Sequence, residues 1–187
     1  MNQKFEKGYL LIANPVLPDP NFSRTVVLLC NHNEGGSFGL VINRVAEFSL
    51  DEILEGSEHD IPEIQRIFLG GPVAPTQGFF LCRSEKEFPE LEFICPGVQL
   101  GMNWESSKAV ADQIEEPEKN IRFYLGYSGW ASGQLAGEMT QKSWLTREAQ
   151  ESFIFSEHED KIWSNVVRSL GKEYEYLLNA PVNPSLN

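Results

Sequence analysis

The feature that most constrains the fold is an alternation of short apolar runs with turn-forming segments near the start of the chain. Apolar residues dominate Tyr9–Ala13, Arg24–Cys30 and Phe38–Ile42. Short runs of this kind, rich in Leu and β-branched residues, are typical of buried strands. Three prolines within residues 14–20 exclude a helix or a central strand there. The segment Asn31–Gly36 has turn chemistry, so we predict three strands, of which the second and third form a hairpin.

The remainder of the chain mixes further short strands with helices and shows no repeat or linker. Strands do not alternate strictly with helices, which favours an α+β fold with a largely antiparallel sheet, curled into a barrel or sandwich. We predict a single domain over residues 1–187. The predicted strands are Ile67–Val73, Gly78–Cys82, Leu91–Cys95 and Ile121–Leu125, and the predicted helices are Ser49–Glu55, Trp104–Ile114, Gln134–Lys142 and Glu157–Leu170, with a glycine-rich connection at Gly126–Gly133.

The charge pattern bears on the kind of partner. The net charge is −12, and the 15 Lys and Arg residues are scattered, with no two adjacent. Nucleic-acid binders need clustered cations to displace counterions from phosphates, and an acidic surface repels a polyanion at long range. The sequence therefore argues against direct nucleic-acid binding and for an acidic, solvated surface.

The cysteines and the lengths of the apolar runs indicate the cellular compartment in which the protein is expected. The chain has three cysteines, Cys30, Cys82 and Cys95, an odd number at wide spacing. This usage fits small core residues in a reducing compartment. No apolar run approaches the length needed to cross a bilayer, and the run Tyr9–Ala13 is too short for a signal peptide. We therefore predict a cytoplasmic protein without a membrane segment.

Several motifs occur in a fixed order along nearly the whole chain: Gly8–Pro15, Phe22–Leu29, Gly39–Arg44, Leu69–Val73, Leu125–Trp130, Gly133–Leu135 with Glu138, Trp144–Leu145 and Pro184–Asn187. In these motifs the chain resembles the YqgE/AlgH family of uncharacterised bacterial proteins. The resemblance implies an α+β fold with a branched, partly barrel-like sheet flanked by helices. The family name implies a role in transcriptional regulation. The family pattern is often Gly-Tyr-Ala-Gly-Trp followed by Gly-Pro, whereas this chain has Ser128 at the Ala position and Ala131-Ser132 at the Gly-Pro position.

A polar functional surface is expected where the proline-rich loop meets the end of the third strand. Pairing of the hairpin strands would bring Arg44 near Arg24 at one end. The alternative is that Asn and Asp side chains cap the turns while the arginines pair with carboxylates. The glycine-rich segment supplies a second candidate surface. The residues predicted to bind a ligand or a partner are Asn14, Asp19, Phe22, Arg24, Asn43, Arg44, Ser128 and Trp130.

Two hypotheses for function follow. The first is a non-enzymatic cytoplasmic binding or regulatory protein that recognises a protein partner or a small molecule, with no cofactor. The second is a hydrolase-type enzyme with a site near Ser128 or Asp19. The segment around Ser128 resembles a nucleophile elbow, but Trp130 stands where that motif needs Gly. This favours a glycine-rich turn that packs Trp130. The histidines form no metal-binding pattern, so no metal site is predicted.

Overall fold

The computed structural model describes residues 4–15, 17, 19–47, 66–104 and 106–180. Within these ranges nine strands form one curled sheet, a half-barrel flanked by a few helices. The predicted α+β fold is confirmed. The strands are β1 (Tyr9–Ala13), β2 (Val26–Asn33), β3 (Gly36–Val41), β4 (Ile67–Leu69), β5 (Val73–Arg83), β6 (Glu92–Cys95), β7 (Val98–Gly101), β8 (Ile121–Ala131) and β9 (Trp144–Glu148).

The helices are short, apart from the one near the C-terminus, and lie between or after the later strands. The predicted helix Ser49–Glu55 lies outside the described residues. The described helices are α1 (Ser107–Ala111), α2 (Pro117–Asn120), α3 (Gln134–Thr140), α4 (Glu151–Ile154) and α5 (Glu159–Ser169), with 3-10 helices at Pro20–Phe22 and Lys172–Asn179.

The sheet is antiparallel along the order β6-β7-β5-β8-β3-β2-β1-β9, and it branches at β8, with which β4 pairs in parallel. The first half of β8 pairs with β5 from Cys82↔Ile121 to Gly78↔Leu125, with one further pair at Val73↔Tyr127 after a register shift. The second half pairs with β3, from Gly39↔Ser128 onwards. A largely antiparallel, branched and partly barrel-like sheet is therefore observed, as the family resemblance implied.

Strand β8 also corrects one prediction from the sequence. The glycine-rich connection at Gly126–Gly133 is wrong, because β8 continues to Ala131 before α3 begins. Gly126 has a φ of +66°, and a Cβ there would lie 2.5 Å from the carbonyl oxygen of Gly71. Glycine thus lets the strand bend beside a closely packed neighbour, a bend that a larger residue would oppose. The glycine-rich segment is a kinked strand rather than a loop.

The apolar parts of the three N-terminal strands are buried on both faces, which explains their continuous apolar sequences. Leu10 and Ile12 belong to one core cluster, which α5 covers, while Leu11 and Ala13 belong to a second cluster with Trp144. Strands β1, β2 and β3 lie within three residues of their predicted bounds, and the largest difference is at the end of β2, which runs to Asn33 instead of Cys30. A strand covered on both faces cannot show the alternating pattern of a half-exposed one.

Helix α5 packs by the spacing that predicted it. Its buried residues are Ile162, Trp163, Val166 and Val167, at the intervals that place side chains on one face of a helix. The indole Nε1 of Trp163 donates a hydrogen bond to the carbonyl oxygen of Ala13 at 3.0 Å. This bond ties the C-terminal helix to the end of β1.

Candidate functional site

The predicted residues at the end of the hairpin do meet, through bonds to the backbone. The side chain of Asn43 accepts a hydrogen bond from the Val26 amide at 2.8 Å and donates one to the carbonyl oxygen of Arg24 at 2.9 Å. Arg44 Nη2 donates to the carbonyl oxygen of Ser23 at 3.4 Å. Asn43 therefore bridges the entrance of β2 and the exit of β3.

Arg24 turns its guanidinium towards the C-terminal segment. Its Nη2 donates to the carbonyl oxygens of Ala180 at 2.7 Å and Leu178 at 3.5 Å, and its guanidinium lies 5.1 Å from the ring centre of Trp163. Nε is buried and has no hydrogen-bond partner among the described residues. The backbone of Arg24 has a φ of +51°, a conformation that is rare for residues other than glycine. These contacts make Arg24 an anchor for the last 3-10 helix.

The side chains of Asn14 and Asp19 both form hydrogen bonds to backbone groups. Asp19 Oδ1 accepts the amide of Asn21 at 2.8 Å, which starts the first 3-10 helix, and Asn14 Nδ2 donates to the carbonyl oxygen of Lys142 at 3.2 Å. The Asp19 contact matches the alternative in which Asn and Asp side chains cap turns, whereas Asn14 joins the proline-rich loop to a segment distant in sequence. The aspartate stabilises the proline-rich loop by this bond.

Phe22 and Trp130, predicted from separate segments, meet in an aromatic cluster. The ring of Phe22 lies 6.3 Å from that of Trp130 and 5.3 Å from that of Trp144. Both indoles donate Nε1–H to the same oxygen of Glu138, at 2.9 Å from Trp130 and 2.7 Å from Trp144. Gln134 Nε2 donates to the other carboxylate oxygen at 3.0 Å. We call Glu138 with its two tryptophans the indole clamp.

Ser128 lies in the middle of β8 and is fully buried. Its hydroxyl donates a hydrogen bond to the carbonyl oxygen of Gly70 at 3.2 Å. A serine nucleophile must reach its substrate from an exposed turn, with a base in contact. The position of Ser128 therefore lends no support to the hydrolase hypothesis, and the hydroxyl serves to join β8 to the segment after β4.

A wide groove of about 700 Å³ lies beside the second half of β8. Three rings in mutual contact line it: Phe38 lies 5.3 Å from Phe79 and 5.1 Å from Tyr127, and the last two lie 6.0 Å apart. Trp130 also lines the groove, so one predicted residue belongs to it. We call this feature the aromatic groove.

The rest of the lining gives the aromatic groove a neutral character. Amide and hydroxyl side chains come from Asn31, Asn33, Ser37 and Gln77, beside Met102 and Val73, which are 51% and 38% exposed. None of the described residues that line the groove is charged, in a chain with 15 basic and 27 acidic residues. Such a surface suits an uncharged group that has apolar bulk and offers hydrogen-bonding partners to the amides.

The sequence did not single out the rings of the groove, because Phe38 and Phe79 stand in apolar strands that indicate core. One signal was present: Gly129 pairs directly with Phe38 across β3 and β8. A glycine inside a strand often marks a place where another group approaches closely. By this rule, glycines within the Gly126–Gly133 segment indicate a groove rather than a turn.

The described residues give no sign of metal or thiol chemistry. They contain no group of three or more His, Cys, Asp or Glu side chains placed to hold a metal ion. Cys30, Cys82 and Cys95 are free and buried. Burial raises the pKa of Cys82 and of Cys95 to about 11, and that of Cys30 further still. Thiols in this state are weak nucleophiles and weak ligands.

Among the described residues, no helix is long and apolar enough to span a membrane.

Comparison with known proteins gives matches along almost the whole chain. A family model described as AlgH-like matches residues 10–175. A UPF0301 protein of Cytophaga hutchinsonii is 36% identical over 182 residues, which cover 97% of this chain and 98% of the relative. A UPF0301 protein of Chlorobium limicola is 40% identical over 185 residues, which cover 98% and 97%.

Two solved structures are also similar. The solution structure of AlgH from Pseudomonas aeruginosa has a TM-score of 0.72 and 33% identity, with 97% of this chain and 98% of that chain covered. The crystal structure of protein DIP2367 from Corynebacterium diphtheriae has a TM-score of 0.79 and 18% identity, with 95% and 94% covered. At that identity, the likeness to DIP2367 concerns the fold alone.

Proposed function

The chain belongs to the AlgH-like family, and from this premise we propose that it is a non-enzymatic cytoplasmic binding protein whose aromatic groove receives a segment of another protein. The partner presents an uncharged aliphatic or aromatic side chain to the groove. An effect on transcription, which the family name implies, is then indirect and passes through this partner. The net charge of −12 and the scattered cations support a protein partner over DNA.

The observation that carries this proposal is the neutral lining of the aromatic groove. The chain has 27 acidic residues, yet none of the described residues beside Met102, Val73 and the three packed rings in the groove lining is charged. Protein interfaces are depleted of charge at their centre and enriched in aromatic residues and Met. Methionine is also common where a surface adapts to a partner. The groove has this composition.

The backbone around the groove suits an extended segment. Strand β5 departs from β8 between Val73 and Gly78, where the register shifts. Among the described residues, the part of β8 from Ser128 to Ala131 has register partners only in β3. A strand edge of this kind can pair with an added strand, which gives affinity through the main chain while neighbouring pockets select side chains.

The test places a charge at the groove and a matched charge elsewhere. Met102→Lys puts an ammonium group beside the rings, whereas Phe93→Lys changes an apolar residue of similar exposure, 55% against 51%, on β6. Each variant and the unmodified chain are used as bait in native lysate. Proteins captured by the unmodified chain and by Phe93→Lys, and lost with Met102→Lys, support the proposal. Equal capture by all three baits contradicts it.

A second measurement separates a protein partner from a small molecule. Uncharged aromatic fragments and uncharged peptides with one Phe or Leu are titrated into isotope-labelled protein, and amide shifts are followed by NMR. Peptide-induced shifts at Gly129 and Gln77 that Met102→Lys removes support the proposal. Shifts with fragments alone assign the groove to a small molecule instead, and shifts elsewhere contradict the assignment of the groove.

A further inference from the structure

A second cavity, of about 450 Å³, gathers basic side chains against the first half of β8. It is lined by Arg66, Arg83, Lys119 and Arg122, and by Glu118, Glu157, His158 and Glu159. Four of the 15 basic residues of a chain with a net charge of −12 thus line one cavity. The aromatic groove shares none of these residues.

Arg122 places a nearly buried charge in this cavity. Its side chain is 11% exposed, and Nη1 donates to the carbonyl oxygen of Ile154 at 2.8 Å while Nη2 donates to that of Ser156. These bonds fix the plane of the guanidinium. Burial lowers the pKa of Arg122, and the positive charges of Arg83 and Arg66 add to this effect. Because a guanidinium in a protein keeps its proton, the buried group remains a cation.

The guanidinium of Arg83 lies beside the same aromatic ring, that of Phe155, as the guanidinium of Arg122. Arg122 lies 5.6 Å and Arg83 lies 5.2 Å from the ring centre of Phe155. Arg83 Nε donates to Asn120 Oδ1 at 2.7 Å, and no described residue accepts a hydrogen bond from either Nη of Arg83. Two like charges held beside one ring repel each other, and an anion between them would remove that repulsion.

The carboxylates of the cavity form no close ion pair with Arg83 or Arg122 among the described residues. Glu159 Oε1 bonds Arg66 Nη1 at 2.8 Å and stands 4.0 Å from Arg122 Nη2. Lys119 is engaged by Glu116. Arg66 and Lys119 therefore have close partners, while Arg83 has no ion pair among the described residues and Arg122 shares a distant one. Glu118 and Glu157 also line the cavity, so its four basic side chains exceed its three carboxylates by one positive charge.

We propose that this cavity binds a small phosphate monoester, whose doubly charged head group lies between Arg83 and Arg122. Planar guanidinium groups bond phosphate oxygens in pairs. The volume of the cavity falls within the range of small-molecule sites, and the phenylalanines along it, Phe68, Phe123 and Phe155, give an apolar wall for the organic part. This site is independent of the function proposed for the aromatic groove.

The test uses phenyl phosphate, benzoate and phenol as probes of one ring with three head groups, and inorganic phosphate as a fourth. Titration calorimetry on the full chain is run at about pH 7.5, where a phosphate monoester is mostly doubly charged because its second pKa is about 6. We expect phenyl phosphate to bind, benzoate to bind at least about tenfold more weakly, and phenol not to bind. Absence of binding by both phosphates, or equal affinity for benzoate, overturns the proposal.

Variants locate the site. Arg83→Gln should weaken the binding of phenyl phosphate at least about tenfold, since it removes a cation and its hydrogen bonds to the head group, and Arg83→Lys should restore part of the loss. The matched control is Arg147→Gln, because Arg147 lies 4.9 Å from the ring of Phe153 outside the cavity. Glu159→Gln should strengthen binding by removing a competing carboxylate. Unchanged affinity in Arg83→Gln, or an equal loss in Arg147→Gln, refutes the assignment.

Discussion

Removal of the Glu138 carboxylate should destabilise the fold more than any ordinary surface change. In the indole clamp one carboxylate oxygen accepts from Trp130 and Trp144, which are 5% and 1% exposed. Glu138→Ala leaves two buried N–H groups without an acceptor, at about 1–3 kcal/mol each. We expect the free energy of unfolding to fall by about 4 kcal/mol, and the melting temperature by roughly 8–16 °C for a domain of this size.

Urea denaturation, followed by both far-UV circular dichroism and tryptophan fluorescence, measures this loss. Glu138→Gln keeps one oxygen acceptor and should lose only about 1 kcal/mol, since a neutral hydrogen bond is worth roughly that amount. Glu148→Ala is the control, because Glu148 is exposed and accepts one long bond from Tyr9 at 3.2 Å; surface changes stay within about 0.5 kcal/mol. A Glu138→Ala loss no larger than that of the control would refute the clamp.

Three further predictions concern buried and partly buried polar groups. Asn43→Ala should lower the free energy of unfolding by about 1–3 kcal/mol in urea titrations, and Asn43→Asp by less, because the carboxylate still accepts from Val26; equal stability of Asn43→Ala and the unmodified chain would contradict this. Ser128→Ala should lower the free energy of unfolding by about 1 kcal/mol through loss of the bond to Gly70, and an ester-cleaving activity lost in this variant would contradict a structural role. Burial raises the pKa of the Cys82 and Cys95 thiols from 9.0 to about 11. A raised pKa in the folded state means that this contribution to stability is present below pH 9 and is lost as the pH rises towards 11, so the urea midpoint should fall over that window, and fall less in Cys82→Ala. At neutral pH, a disulfide reagent should label these thiols only after unfolding.

Local sequence patterns were enough to predict the elements whose own residues show a strand or helix pattern. Strands β1 to β3 are continuous apolar runs, and α5 has the four-residue spacing of a buried face. Strand β9 was not predicted, because Thr146, Arg147 and Glu148 look like a polar loop. It forms because its backbone pairs with β1, from Ala13↔Trp144 to Tyr9↔Glu148. That pairing is a long-range event to which the sequence around β9 offers no local clue.

The site was predictable only in part, for a related reason. Polar residues near turns were recognised, but sequence alone does not tell whether a polar group already has its hydrogen bonds. The side chains of Asp19 and Asn43 are already hydrogen-bonded to backbone groups. The rings of the aromatic groove come from β3, β5 and β8, and they meet because of strand register. Register depends on the whole sheet, so patterns within separate segments do not predict that these rings meet.

The branching of the sheet at β8 has a consequence for synthesis on the ribosome. Strands β3, β4 and β5 each have an edge that pairs with β8, yet β8 begins only at Ile121. Until that strand leaves the exit tunnel, the nascent chain carries unpaired strand edges with apolar side chains, the features that make folding intermediates aggregate. Chains truncated before Ile121 should therefore bind chaperones more strongly than the complete chain does.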